Sequence, residues 1–435
     1  MTRERIIPWA AGLVAGLLFV SATAAQGVNL NKAKEMARQV AGQPKPSETP
    51  KPGEPPKAPE PPASVSPYAK GGNPLKDPNF VPILVNIQSA LNAKIYAEAG
   101  INVYDSVDDI TLEPNQPHQF KPTAETLTML SDAGILLIAE QDVWKGQMAN
   151  PTIIGWLSPV DEPDNVQTGT RAGMPLDKYL AQSARIKAGD PTRPYFVCFG
   201  QGVANDGYKG RGIQPSEYPR YMQVVDFVQY DVYPITNIGK ADGEKYLEWT
   251  GIGVSRIRAW TGNKKPVLCW IETNHIKNPN KAPTPAQTNC EVWITMAHGA
   301  RGVGYFCHDF TIETKKASAL SRDKDMLAQL KTTNAKLKKL ALAISAPLVA
   351  EPTAQKSEGG KVIAGVKKVG PDTFVIAVNV LDEKARATVA VAGLRKGQKV
   401  EVAEEGRTLD AADGAIADEF APYQEHVYRI SASGK

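Results

Sequence analysis

Cysteine and histidine are scarce: the 435-residue chain has four of the first and five of the second. The histidines are scattered and no Cys/His group has zinc-ligand spacing, so no catalytic metal is expected. No strand is followed by a full glycine-rich phosphate turn. The GxG at Gly200 to Gly202 lacks a third glycine and a following helix, so no nucleotide cofactor is expected. Positive charge is not concentrated: the net charge is +4, with no basic stripe, which argues against a nucleic-acid partner. Long apolar runs are missing too. The longest, Ile6 to Val20, is about 15 residues with Pro8 inside it, short for a span of roughly 20 residues.

What is present near the start has the order of an export signal. Arg3 and Arg5 precede the apolar run, and Ala22, Thr23, Ala24 and Ala25 suit cleavage close to Ala25. Export with cleavage is the expectation, to the periplasm or beyond the cell; an uncleaved anchor is the other reading. In such a compartment Cys198, Cys269, Cys290 and Cys307 allow three full pairings, and buried thiols are an equal reading.

Asn29 to Ala41 reads as one short helix. Gln43 to Pro67 holds ten of the 34 prolines among Lys, Glu and Ser, a composition that makes an extended spacer rather than a core. It suggests association of the body with the cell envelope. The expected division is thus 1–25 signal, 26–78 helix and spacer, 79–344 barrel and 345–435 a β-sandwich.

From Asn79 the pattern alternates strand and helix. Apolar runs at Val81–Ile87, Ile101–Val107, Ile135–Gln141, Ile153–Leu157, Arg193–Phe199, Val224–Tyr233, Pro266–Glu272 and Gly302–His308 read as strands. Helices are expected at Ser89–Ala99, Ala124–Ala133, Leu176–Ala188, Lys245–Thr261, Ala286–Ala297 and Asp323–Ile344, the first two closed by Gly100 and Gly134. Eight units in about 265 residues fit a (β/α)8 TIM barrel better than a doubly wound sheet. After Ala346 the period changes to two. Thr373–Val380, Ala387–Leu394, Lys399–Leu409 and His426–Ile430 read as the strands of a small antiparallel β-sandwich.

Chemistry concentrates in PTIIGWLSPVDEPDN, Pro151 to Asn165. An apolar strand breaks at Pro159 and delivers Asp161 and Glu162 just before Pro163. A second strand, KKPVLCWIET, ends in Glu272, 110 residues on, which is about three barrel units at ~33 residues each. Two carboxyls at strand ends of one barrel are the equipment of glycosidic hydrolysis: one protonates the leaving oxygen, the other attacks or stabilises the anomeric carbon. Trp144 and Trp156 are candidates to stack on sugar faces, with core packing as the alternative. Trp270 shares strand parity with Glu272 and should face the barrel interior if Glu272 does. His275 and His308 follow strands seven and eight and are candidates to line the cleft, His275 as a substrate-binding residue; Asp105, Glu140 and Asp231 are lesser candidates.

The ordered set GWLSPVDEPDN, DPTRPYFVCFG, VVDFVQYDVYPI and KKPVLCWIET resembles the clan A glycoside hydrolases, over roughly Asn79 to Ile344. The C-terminal run FAPYQEHVYRI is similar to the sandwich domains often appended to those barrels. The resemblance implies that Glu162 is the acid/base and Glu272 the nucleophile of a retaining enzyme cutting a β-linked poly- or oligosaccharide, with Tyr233 hydrogen-bonding the nucleophile. Asp161 stands where the clan usually has Asn, and no arginine is placed at the end of the second strand. Adjacent Asp161 and Glu162 also resemble hexosaminidases in which the substrate's acetamido group is the nucleophile. There the Asp orients the acetamide, the Glu is the acid, and Glu272 only binds. A degenerate barrel that binds glycans without cutting them is the third expectation.

Overall fold

The structure is a computed structural model that describes Tyr68 and residues 72–107, 123–237, 242–311 and 319–432. The signal-like Met1–Ala25, the helix read at Asn29–Ala41 and the spacer Gln43–Pro67 lie outside the described residues. No helix among the described residues is long and apolar enough to cross a membrane.

Eight parallel strands close into a barrel in sequence order, β1 pairing with both β2 and β8. They are β1 (Ile83–Gln88), β2 (Val103–Val107), β3 (Leu136–Glu140), β4 (Ile153–Leu157), β5 (Tyr195–Phe199), β6 (Phe227–Asp231), β7 (Val267–Glu272) and β8 (Gly302–Phe306). Around them run α1 (Ala93–Glu98), α2 (Ala124–Asp132), α3 (Leu176–Gly189), the short α4 (Tyr218–Met222), α5 (Trp249–Trp260), α6 (Pro285–Ala297), α7 (Lys324–Lys339) and α8 (Ala341–Ser345). Gly100 and Gly134, at φ +84° and +73°, follow the ends of α1 and α2 as the helix-closing pattern requires. Two expected helices are shorter at their starts: α1 is preceded by a 3-10 turn at Ala90–Asn92, and α5 by one at Gly243–Tyr246. The long final helix is broken at Leu340 into α7 and α8.

The strands separate two apolar layers. Leu84, Val103, Ile138, Ile154, Phe196, Leu268 and Trp270 fill the inside, while Ile83, Tyr104, Leu137, Trp156, Val197, Val267 and Ile271 pack outward. Fully burying one such side chain contributes about 1.5–3 kcal/mol, and this double layer is the main source of the barrel's stability. Tyr68 and Leu75 belong to the inner cluster. The Tyr68 hydroxyl donates to Pro151 O, and Asn73 Nδ2 donates to Ile154 O at 2.7 Å. The chain therefore enters the barrel beside the N-terminal ends of β4 and β5, opposite the strand ends that carry Asp161, Glu162 and Asp231.

Beyond Ser345 the chain forms two antiparallel sheets. The six-stranded sheet has the order β15-β14-β17-β12-β11-β9 and the three-stranded sheet the order β10-β13-β16. The nine strands are β9 (Leu348–Ala354), β10 (Lys356–Gly359), β11 (Val362–Val369), β12 (Asp372–Asn379), β13 (Ala385–Ala390), β14 (Lys399–Val402), β15 (Arg407–Asp410), β16 (Ala415–Phe420) and β17 (Glu425–Ile430). Alternate residues of both sheets, among them Val375, Val389, Val400, Ile416 and Tyr428, share one core, so the sheets face each other as a sandwich. The strand expected at Lys399–Leu409 is a hairpin. Glu404 at φ +64° and Gly406 at +65° turn the chain back so that Val400 pairs with Leu409. The alternation pattern missed β9, β10, β11 and β16. β9 and β10 are mostly exposed edge strands and so carry no clean apolar alternation.

Candidate active site

The turn that carries Glu162 follows β4. Ser158 N donates to Phe196 O and Glu162 N to Cys198 O, at 2.8 and 3.1 Å, so the β4–β5 ladder resumes past a three-residue bulge of Pro159, Val160 and Asp161. The bulge leaves Asp161 exposed at the mouth. Glu162 to Asn165 is a β-turn with Pro163 at its second position, closed by Asn165 N donating to Glu162 O at 2.9 Å. Glu162 itself lies at φ +46°, a strained backbone for a residue with a side chain and the kind of strain that gathers at functional sites.

Asp164 holds this turn. Its Oδ1 accepts from Gly200 N at 2.9 Å and its Oδ2 from the Tyr218 hydroxyl at 2.8 Å, while Tyr218 stacks flat on Trp260 at 4.6 Å. Asn165 Nδ2 donates to Glu162 Oε2 at 2.5 Å. The Asn165 side chain lies so close over Gly200 that a Cβ there would come within 2.5 Å of its Oδ1.

The carboxyl that reaches Glu162 is Asp231, the last residue of β6. Glu162 donates a proton-bearing hydrogen bond to it: burial first, then repulsion from Asp231 and Asp161, raises the Glu162 carboxyl well above its usual range. Asp231 is also raised by burial. Hydrogen bonds from Glu162 and the Tyr233 hydroxyl, and the nearby charge of Lys277, oppose that shift and favour its ionised form. The two carboxyls thus share one proton, with Glu162 as the acid and Asp231 as the carboxylate. Asp161 shifts upward in the same sense through desolvation and repulsion from Asp231 and Asp164; its exposure at the mouth lets water moderate the effect. Asp105, on β2, is raised by burial to about 7 and accepts from Gln229 Nε2 at 2.9 Å. Glu140, at the end of β3, is raised too, by partial burial and then by Asp142.

Glu272 has other partners. Its carboxylate accepts from Ile235 N at 2.7 Å and from Thr236 N and Oγ1 at 2.9 and 2.6 Å, and it hydrogen-bonds Glu291 of α6. None of these groups is shared with Glu162. The β6–β7 ladder ends at the pair Asp231 and Trp270, so Glu272 stands two residues past it and reaches the N–H groups of the turn after β6. Trp270 does face the interior, lying over Gly304 of β8. Tyr233, expected beside Glu272, gives its hydroxyl to Asp231 and packs its ring 5.1 Å from Phe306.

The two tryptophans weighed between a sugar face and core packing take the second place. Trp156 points outward: the register shift between Leu137–Ile153 and Ile138–Gly155 adds a residue to β4 and reverses its parity. Its Nε1 donates to Asp190 at 3.1 Å and its ring lies 5.2 Å from the Arg193 guanidinium. Trp144 is 1% exposed in the outer core. Neither is available to a ligand. His275 closes its own loop, Nδ1–H facing the carbonyls of Asn278 and Lys281 at 3.1 and 3.0 Å.

Of an aromatic group at the β8 end the sequence singled out His308 and missed Phe306 and Phe310. Phe306, His308 and Phe310 adjoin one another, with His308 and Phe310 parallel at 5.9 Å and Phe310 39% exposed. Burial keeps His308 neutral, at about 4, and its Nε2–H donates to Asn86 at 2.9 Å. The FxHxF spacing is the one signal for the two phenylalanines. Tyr208, half-buried after β5 and close enough to feel Glu162 and Asp231, was not signalled at all. The four cysteines are free thiols, so the disulfide reading is set aside. Among the described residues no group of His, Cys, Asp or Glu is arranged to hold a metal ion.

No family model matches the chain, and no curated protein does. Solved structures do. A protein assigned as an α-galactosidase/melibiase of Bacteroides fragilis aligns with a TM-score of 0.54 at 11% identity, over 81% of this chain and 79% of that one. α-Galactosidase I of Mortierella vinacea gives 0.53 at 10%, over 83% and 99%. A family 5 glycoside hydrolase of Bacteroides vulgatus gives 0.50 at 13%, over 82% and 90%. At such identities the likeness establishes architecture: the chain has the barrel-plus-sheet fold seen in glycoside hydrolases of widely different sequence.

Proposed function

We propose that the protein is a retaining glycoside hydrolase in which Glu162 is the acid/base and Asp231 the nucleophile. The observation that carries this is the proton-sharing contact between the two carboxyls at the C-terminal ends of β4 and β6. Carboxyls in contact leave no place for an attacking water between them, whereas an inverting enzyme separates them by ~6.5–9.5 Å to hold one. Retaining enzymes use a shorter gap, about 5–5.5 Å, which a sugar ring entering between the two side chains opens.

In the first step Glu162 gives its proton to the glycosidic oxygen as the bond to the anomeric carbon breaks, and a carboxylate oxygen of Asp231 bonds to that carbon. In the second, Glu162, now ionised, takes a proton from water, whose oxygen displaces Asp231. Burial and the Asp231 charge supply the raised acid that the first step needs. Tyr233 and Lys277 keep Asp231 ionised. Asn165 orients the Glu162 carboxyl.

The substrate class is an oligo- or polysaccharide, and the signal-like N-terminus with its proline-rich spacer supports an exported enzyme held near the cell envelope. The test is hydrolysis of a panel of α- and β-linked glycans and aryl glycosides by the parent protein, Glu162→Gln and Asp231→Gly, with azide added to the last. Recovery of turnover as a glycosyl azide in Asp231→Gly supports the assignment. Turnover limited to 2-acetamido sugars, lost in Asp161→Asn and kept in Asp231→Asn, would instead mark the acetamide-assisted route.

A further inference from the structure

Glu272 and Glu291 form a second carboxyl pair, sealed in the wall between β7 and α6. Both are fully buried. The Glu272 oxygens already accept three hydrogen bonds from Ile235 and Thr236. Thr288, one turn before Glu291 on α6, donates to Glu272 O at 3.0 Å, so a single helix face grips this residue at backbone and side chain. Apart from Glu272, which meets it with side chain and backbone N–H, Glu291 has no hydrogen-bond partner among the described residues. Two ionised carboxylates in contact inside a protein repel strongly, and an acid donating to its neighbour satisfies both. Desolvation and the Glu272 charge push Glu291 well above its usual range, in the sense this arrangement needs.

The clamped residues follow the reactive carboxylate directly: Asp231, Val232, Tyr233, Pro234, Ile235, Thr236. We infer that Glu291, by sharing its proton with Glu272, is a positioning residue that fixes the turn after β6 and with it Asp231 and Tyr233. Glu272 is then the anchor of the nucleophile's segment and not the nucleophile. This role in turnover rests on reading Asp231 as the reactive group; the clamp itself does not.

The experiment uses the full chain and separates the two claims. Amide hydrogen exchange at Ile235 and Thr236 reads the clamp without any substrate. In Glu291→Met, which removes the donor, both amides exchange at least about tenfold faster while those of β1 keep their protection. Glu291→Gln, whose amide can donate in place of the acid, keeps exchange within roughly twofold of the parent. Infrared spectra show a buried carboxylic acid band in the parent that is lost in Glu291→Gln. Should Glu291→Met not fold, Thr236→Val, which removes one donor to Glu272, is expected to speed exchange at residue 236. Unchanged exchange in Glu291→Met, or in Thr236→Val where that variant replaces it, overturns the clamp, as does the lack of a difference band between the parent and Glu291→Gln. In hydrolysis, Glu291→Met lowers kcat with KM held and Glu291→Gln restores it. An azide product from Glu272→Gly refutes the anchor role, while a parent protein that cuts no glycan sinks the hydrolase reading and leaves the exchange result standing.

Discussion

Tyr233 donates its hydroxyl to Asp231, two residues earlier on the same segment. The bond favours the ionised aspartate. Removing it in Tyr233→Phe raises the Asp231 pKa, so at a given acidic pH less of the proposed nucleophile is charged. The acidic limb of the kcat/KM profile is expected to move to higher pH, with kcat at the optimum falling about 10- to 100-fold. A profile that keeps its acidic limb in place would remove Tyr233 from the mechanism.

Glu162 and Asp231 act on one proton, and their variants should not be additive. Glu162→Gln and Asp231→Asn are each expected to lower kcat by at least about 10³-fold, and the double variant by little more than either alone. Additive losses would mean that the two serve separate steps, which single-turnover and steady-state rates on one substrate distinguish.

Stability should fall as pH rises. Asp164 is raised by burial to about 6, and Asp105 and Glu272, also by burial, to about 7. Through these acids the folded state binds more protons than the unfolded chain between about pH 4 and 7; His298 and His308, lowered by burial to about 4, work in the opposite sense but are fewer, so unfolding becomes easier across that window. A carboxyl lifted from 3.8 to about 7 costs up to roughly 4 kcal/mol when it ionises. Thermal unfolding from pH 4 to 8 should show the decline, and Asp105→Asn should flatten it. A Tm that climbs across this window contradicts the buried acids.

Gly200→Ala tests how tightly the turn is held. The new Cβ meets the Asn165 side chain, which must give way and release Glu162. Overpacking of this sort costs typically 1–3 kcal/mol. The expected signature is a loss of kcat larger than the loss of stability explains. Trp156→Phe should do the reverse. It removes the hydrogen bond to Asp190 and costs about 1–3 kcal/mol, while KM for any substrate the parent cuts stays unchanged.

The amino-acid sequence by itself determined the eight barrel strands, their order, six of the helices around them, the change of period after Ala346 and the placing of Glu162 on a proline-stiffened turn past β4. Those features follow from local periodicity and turn chemistry, which a one-dimensional pattern holds in full. It also gave Trp270 and Glu272 the same strand parity, because parity in an unbroken strand is local. Trp156 shows the limit: one inserted residue in the β3–β4 register turns it away from the interior, and no local pattern announces a bulge. The partner of Glu162 was likewise a tertiary decision. Asp231 and Glu272 are both acids at barrel strand ends, equal as letters. What separates them is where the β6–β7 ladder stops and which N–H groups lie within reach of each side chain. One carboxyl was drawn to Glu162 and Tyr233, the other to the amides of Ile235 and Thr236, because a buried charge settles beside the donors the fold brings to it.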